Sequence, residues 1–318
     1  VDMSAHTETV ADWAERVRGM LEGSPRRELA AGRLSVLGAG MDSLAVLVEA
    51  GDGRWVVRLP KGEDAVEGIA REARLLPELA GRVRLPIPRF AFTAANPLGP
   101  GECCVYPAVP GESLSDDEWV ARGLLGSGAV AEAVAEFLDS VHGFPVRRAV
   151  ELGVEEVDFR KDFAADLELV RAQVIPLLPE REGRRLAGIW EEYLAEDANF
   201  EYEPALIHAD VSLDHLLVTG ESISGVIDFG DVQVGDPDYD LCYLWSDAGA
   251  GFVERVRAAQ GLGFDARLRA KLDFWACADH AVDVLHAIEH EMTEFREIAI
   301  AGVCEAVTRF GGQASGSL

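Results

Sequence analysis

Apolar residues recur at helical spacing over residues 7–21, where Val10, Trp13, Val17, Met20 and Leu21 form one stripe, so the pattern predicts an N-terminal helix. From Arg33 the period changes. Leu44, Val46 and Val48 alternate with other residues, Gly51-Asp52-Gly53 signals a turn, and Trp55, Val57 and Leu59 alternate again. This predicts a hairpin, with Gly38-Ala39-Gly40 at the head of its first strand. Asp64 to Ala80 fits a helix with Ile69, Ala73, Leu76 and Leu79 on one side. Two short strands fit Arg89 to Phe92 and Glu102 to Tyr106, following Pro86 and Pro88.

The pattern turns helical after Pro107-Ala108-Val109-Pro110-Gly111, where Pro and Gly mark a connector. Ser115 and Glu118 form a capping box that opens a helix. Val130, Val134, Phe137, Leu138 and Val141 line a second helix, which ends before Gly143. Helical patterns also fit 158–176, 180–196, 253–260 and 266–300, and strands fit only Leu216 to Val218 and Gly225 to Ile227. The expectation is an α+β chain, with a small β-rich lobe over 1–106 and a large, mainly helical lobe over 107–318. No internal repeat is present.

The 318 residues suit two packed lobes. No uninterrupted apolar run approaches the ~20 residues that cross a bilayer, and acidic residues and Trp13 stand where a signal peptide is apolar, so a cytoplasmic location is expected. Val1 and Asp2, ahead of Met3, are left out of the fold reading. Cys103, Cys104, Cys242, Cys277 and Cys304 form no CxxC pair and read as reduced, buried small hydrophobes, with no zinc site expected. The 56 acidic residues against 29 basic give a formal charge of −27. Such a charge disfavours nucleic acid or an anionic membrane as partner and attracts a polycation, although an acidic surface kept for solubility explains most of it equally well.

The chemistry concentrates in Ile207-His208-Ala209-Asp210-Val211-Ser212-Leu213-Asp214-His215 and, after a hairpin, Gly225-Val226-Ile227-Asp228-Phe229-Gly230-Asp231. Phosphoryl transfer asks a protein mainly for positioning and charge neutralisation. Asp210, in a loop two residues after His208, suits the acceptance or orientation of a hydroxyl proton. His215 can ligate a metal through imidazole, and Asp228 offers the hard carboxylate oxygen that Mg²⁺ prefers. Each piece alone is weak, and Asp236-Pro237-Asp238 reads more simply as a turn and helix cap. Their joint spacing within the helical half carries the inference of a kinase.

These motifs, with the segment Asp236-Pro237-Asp238-Tyr239-Asp240-Leu241-Cys242-Tyr243-Leu244-Trp245, resemble the aminoglycoside phosphotransferase family, and among its members the 2''-phosphotransferases. The resemblance is specific over 206–247, moderate around 54–76 and 104–142, and weak elsewhere. It implies a two-lobed, protein-kinase-like fold, ATP or GTP as donor and Mg²⁺ as cofactor. It also implies Asp210 as the catalytic carboxylate, His215 and Asp228 as metal ligands, and His208 and Asp240 as braces of the catalytic loop. Where most relatives have Asn this chain has His215, whose imidazole is the softer ligand and can alter metal preference.

Such a nucleotide clamp needs a strand-borne cation held by a helix acid. Arg58, where the family usually has Lys, and Lys61 are both available. Arg58 is preferred, with Glu72 as partner, because a strand positions better than the loop beyond Pro60. Gly38 to Ser43 sits where a phosphate-covering loop belongs, with Ser43 the hydroxyl that approaches phosphate, and reads equally well as a plain turn. Cys104, Tyr106 and Ala108 of the hinge are expected to meet the base through main-chain groups, which leaves ATP and GTP unseparated.

The acceptor expected is a cationic aminoglycoside, phosphorylated at a 2'' hydroxyl, with Asp231, Asp247, Glu289, Glu291 and Glu294 as the carboxylates that bind it. Trp245 and Trp275 are read as core. A macrolide phosphotransferase, a metabolic kinase for choline, homoserine or a sugar, and a non-enzymatic binding module stand as alternatives, the last disfavoured by the presence of Asp210, His215 and Asp228 together. A monomer is expected.

Overall fold

The protein is described by a computed structural model over residues 4–40, 43–51 and 53–311. Val1, Asp2 and Met3, Met41 and Asp42 of the phosphate-loop reading, and Asp52 of the hairpin turn lie outside the described residues. In chain order come α1 (Ser4–Glu22), β1 (Arg33–Ala39), β2 (Ser43–Ala50), β3 (Gly53–Pro60), α2 (Glu63–Leu79), β4 (Phe92–Ala95), β5 (Glu102–Pro107), α3 (Asp116–Ala121), α4 (Gly128–His142) and α5 (Val146–Glu151). After them follow α6 (Phe159–Leu169), α7 (Glu180–Ala195), β6 (Ala205–Ile207), β7 (Leu216–Thr219), β8 (Ser222–Val226), β9 (Gln233–Gly235), α8 (Cys242–Asp247), α9 (Ala250–Ala259), α10 (Ala266–Glu289) and α11 (Thr293–Phe310). The chain is α+β, as its pattern predicts.

Contacts divide it into two units. One comprises Val1–Ser113, Glu151–Val154 and His215–Val232, and the other Leu114–Val150, Glu155–Asp214 and Gln233–Leu318. In contrast to a single cut at 106/107, the β7–β8 hairpin therefore groups with the first unit. Glu112 and Val218 exchange backbone hydrogen bonds of 2.9 Å, and the Val226 amide donates to Pro86 O at 3.0 Å. Gly111 permits this approach: its φ is +118°, and a Cβ there would lie 2.9 Å from Leu217 Cβ.

The first unit is built on an antiparallel sheet of order β1-β2-β3-β5-β4. Its β1–β3 part is a three-stranded meander rather than a hairpin. The edge strand β1 is largely exposed and carries a bulge between Val36 and Gly38, so no alternation announces it. The strand expected over Arg89 to Phe92 begins only at Phe92, because Pro86 and Pro88 have no N–H for a ladder. Strand side chains alternate between faces. Trp55, Val57 and Leu59 of β3 join Val46, Val48 and the α1 residues Val17 and Leu21 in one core, each burial contributing about 1.5–3 kcal/mol. Val56, between them, packs on the other face with Cys104, Tyr106 and Ile69 of α2. Arg58 shares that second face by the same alternation, which delivers its side chain to α2.

In the second unit α4 buries the predicted stripe Val130, Val134, Phe137, Leu138 and Val141. The capping box is present: the Ser115 amide donates to Glu118 Oε2 at 3.0 Å, and its hydroxyl lies 2.9 Å from the same oxygen. Phe163, Trp190, Tyr193 and Phe274 pack into an aromatic core with Trp275 beside Tyr193. Trp245 and Trp275 are buried, as expected. Of the cysteines, Cys304 is only half-buried, and the other four are buried and free. The helix expected over 158–176 stops at Leu169 and continues as a π turn, Val170–Val174. A short pairing of β6 with β9, three residues each, was too brief for any periodicity to reveal.

The helix expected over 266–300 is two helices. Glu291 takes a left-handed φ of +54°, and the Met292 amide donates to Ala287 O at 2.9 Å while the Glu291 amide donates to Ile288 O at 3.3 Å. This is a Schellman motif, which usually places Gly where Glu291 stands. A left-handed non-Gly residue costs roughly 1–2 kcal/mol, so Glu291→Gly is expected to raise the urea midpoint, by an amount equivalent to about 1 kcal/mol, in equilibrium unfolding.

Candidate active site

Arg58 is buried, and its guanidinium acts as a fork. One nitrogen, Nη2, donates to Glu72 Oε1; the other, Nη1, lies 3.4 Å from Asp228 Oδ1. Burial would lower the Arg58 pKa, but the carboxylates of Glu72 and Asp228 carry it well above its ordinary value. Glu72 is completely buried, its Oε2 has no hydrogen-bond partner among the described residues, and burial raises its pKa while Arg58 holds it back. Breaking one partner of such a pair strands a buried charge. Lys61, by contrast, is exposed beyond the end of β3 and donates to Gly40 O.

Asp228 leaves β8 through Ile227, whose amide donates to His215 O at 3.1 Å. Its φ of +64° is strained for a residue other than Gly. That turn points one carboxylate oxygen at Arg58 and the other, Oδ2, at His215 Nε2, 3.7 Å away. Metal–ligand distances of about 2.0–2.1 Å put two donors of one small divalent ion roughly 3–4 Å apart, so a nitrogen and a carboxylate oxygen at this spacing fit such an ion. The segment is fixed further by Arg71, which donates to Gly230 O. Asp231 follows at an exposed turn.

Around these groups, Ser43 opens β2 opposite Pro60. Cys104 pairs with Arg58 across the β3–β5 ladder, and Tyr106 stacks on Phe90 with ring centroids 5.6 Å apart. The Ala108 amide donates to Arg54 O at 2.8 Å, so that N–H is already engaged.

Asp210 stands in the second unit, in the loop after β6. Asp240, almost fully buried, organises that loop: it accepts the amides of Ala209 at 2.7 Å and His208 at 3.2 Å, and lies 2.8 Å from His142 Nε2. Ala209 takes φ +67°, and the Asp210 amide donates to His208 Nδ1 at 3.3 Å. Trp119 Nε1 donates to Leu213 O at 3.1 Å farther along. His142, which sequence reasoning missed, closes α4 as the residue before its Gly143 stop. Asp236 is the cap expected of it, accepting the Asp238 amide at 3.0 Å, and both carboxylates also hold the buried Lys271 at 2.6 and 2.7 Å.

A set of carboxylates lies within electrostatic range of the same loop. Burial, with the charges of Asp116, Asp214 and Asp279, pushes Asp247 up to about 6. Burial and the nearby charge of Asp283 push Asp279 up to about 6 as well, against the Tyr243 hydroxyl that donates to it at 2.8 Å, and the Asp210 charge adds to the rise. Asp279 and Asp283 were not anticipated, although two carboxylates four residues apart inside the apolar run Phe274-Trp275-Ala276-Cys277-Ala278 to Val284 were the available signal. The expected acceptor residues behave differently from one another. Asp247 closes α8 within this set, whereas Glu289 ends α10, Glu291 forms the left-handed link, and Glu294 opens α11 rather than continuing one helix, all three exposed.

A sequence profile of the phosphotransferase enzyme family matches residues 33–275. The aminoglycoside 3'-phosphotransferase of Escherichia coli is 30% identical over 174 residues, 47% of this chain and 55% of that protein. The GDP and kanamycin complex of APH(2'')-IIIa is similar with a TM-score of 0.84 at 27% identity, over 92% of this chain and 98% of the other. The macrolide 2'-phosphotransferase MphH of Brachybacterium faecium, at 24% identity and a TM-score of 0.66 over 85% of this chain and 91% of its own, shares the fold. The chain spans 54 to 66% of the length of the curated relatives it matches.

Proposed function

The chain belongs to the phosphotransferase enzyme family, and from that premise we propose that it transfers the terminal phosphoryl group of ATP or GTP to a hydroxyl of an aminoglycoside, the 2'' hydroxyl being the target. The observation that carries this reading is the Arg58 fork. One side chain pairs with a buried helix acid and reaches the carboxylate whose second oxygen faces His215.

Arg58, fixed by Glu72, presents a planar cation to the phosphates, a bidentate match for their oxygens. His215 and Asp228 are the residues that would hold Mg²⁺, which when bound supplies charge neutralisation across the transferred group. Asp210, on a loop whose amides Asp240 fixes, accepts or orients the proton of the attacking hydroxyl. Asp247 and Asp279 take the ammonium groups of the acceptor, and a pair of carboxylates suits a polycationic acceptor better than a macrolide with a single amine.

Nucleotide turnover measured with kanamycin, with erythromycin and with no acceptor tests the reading, and turnover stimulated by kanamycin alone is the expected result. Two dependences follow from the carboxylates. Both have pKa values raised to about 6, so they are anionic at pH 7.5 and become neutral as pH falls through that value. The acceptor KM is therefore expected to rise below pH 6 more steeply than the ionisation of the acceptor explains, and Asp279→Asn is expected to flatten that rise. Added salt is expected to raise the same KM, because the Debye length shrinks to about 8 Å at 0.15 M. A KM indifferent to salt and pH would favour the macrolide reading.

A further inference from the structure

Asp228 has two oxygens committed in opposite directions, one to Arg58 Nη1 at 3.4 Å and one toward His215 Nε2 at 3.7 Å. The side chain of Arg58 is only 9% exposed and anchored on Glu72, whereas that of Asp228 is 46% exposed. A buried, anchored cation thus faces an accessible carboxylate. We propose that Arg58 is the resident counter-cation of Asp228. It neutralises the carboxylate while the nucleotide site is empty and releases it when phosphates engage the guanidinium, so that nucleotide and divalent metal load cooperatively through this one side chain. The inference rests on the reading of His215 and Asp228 as metal ligands and adds the order in which their charge becomes available.

The chemistry of the guanidinium carries it. A planar fork can serve Glu72 with one nitrogen and Asp228 with the other, which a single ammonium held by Glu72 cannot do with the same geometry. The other cation that acts on Glu72 is Arg71, but its Nη2 donates to Gly230 O, its buried Nε has no hydrogen-bond partner among the described residues, and it forms no ion pair with Glu72 or Asp228 there, so Arg58 is the cation that touches both carboxylates among the described residues. Phosphate oxygens compete for the same donors with higher charge. Coupling of this kind is reciprocal, so whatever factor nucleotide adds to metal affinity, metal adds to nucleotide affinity.

The test is a Mn²⁺ titration of the full chain followed by electron paramagnetic resonance, with and without a non-hydrolysable triphosphate. R58K keeps the net charge and the partner of Glu72 but gives up the second arm of the fork. It is expected to bind Mn²⁺ on the order of tenfold more tightly than wild type without nucleotide, the screening of a half-exposed ion pair being worth about that factor, and to lose a matching part of the enhancement by nucleotide. E72Q is expected to do the reverse, since Arg58 then turns more fully to Asp228, and nucleotide-free Mn²⁺ affinity falls. Unchanged or weaker binding in R58K, or unchanged or tighter binding in E72Q, would overturn the counter-cation role. D228N separates the two levels: if it binds Mn²⁺ as wild type does in the presence of nucleotide, the metal-ligand reading itself fails; if it does not, the failure of R58K or E72Q to respond is a failure of this inference alone.

Discussion

Replacing Asp210 by Ala is expected to lower turnover by about 10²–10⁴ while leaving nucleotide affinity nearly intact. The carboxylate is the only group removed. The turn that carries it is held by main-chain donors on Asp240, from Ala209 and His208, and by the contact of Asp240 with His142, none of which uses the Asp210 side chain. The groups proposed for nucleotide, Arg58, Glu72 and Asp228, belong to the other contact unit and keep their mutual hydrogen bonds. Loss should therefore appear in kcat and kcat/KM together, the signature of an interaction made in the transition state. Steady-state kinetics with a parallel nucleotide titration checks it, and normal turnover would remove Asp210 from the mechanism.

Asp228→Ala is expected to abolish metal-dependent nucleotide binding and to reduce kcat/KM by on the order of 10³ or more, since a divalent metal held by His215 and Asp228 would supply charge stabilisation worth several kcal/mol. Two consequences combine. His215 is left as a single donor, and one arm of the Arg58 fork loses its partner. The substitution also relieves nothing in the core, because Asp228 is half-exposed, so thermal stability should change far less than activity. A calorimetric titration of Mg²⁺ with nucleotide present decides the matter, and an unchanged isotherm would count against the role of Asp228.

Where the sequence was legible, a simple physical pattern stood behind it. The alternation Trp55, Val57, Leu59 fixed both the strand and its faces, and so placed Arg58 toward α2, where Glu72 at helical spacing could meet it. The 3.7 Å approach of Asp228 to His215 was foreshadowed because one short hairpin ties the two residues together. What stayed hidden depends on distant partners or on backbone conformation. His142 meets Asp240 across nearly a hundred residues, β6 and β9 pair over three residues each, and Asp279 acquires its character first from burial, then from Asp283 one turn along α10 and from the Tyr243 hydroxyl of α8. The split between α10 and α11 was invisible because its left-handed residue is Glu291, where Gly is the usual marker.

The central claim, phosphoryl transfer from nucleotide to an ammonium-bearing alcohol, is tested most directly by mass spectrometry of kanamycin after incubation with the protein, Mg²⁺, and ATP or GTP. The expected product is kanamycin heavier by one phosphoryl group, formed in step with nucleoside diphosphate and missing when Asp210→Ala replaces the wild type. Kanamycin recovered unmodified with both nucleotides, at protein concentrations where either nucleotide is seen to bind, would contradict it.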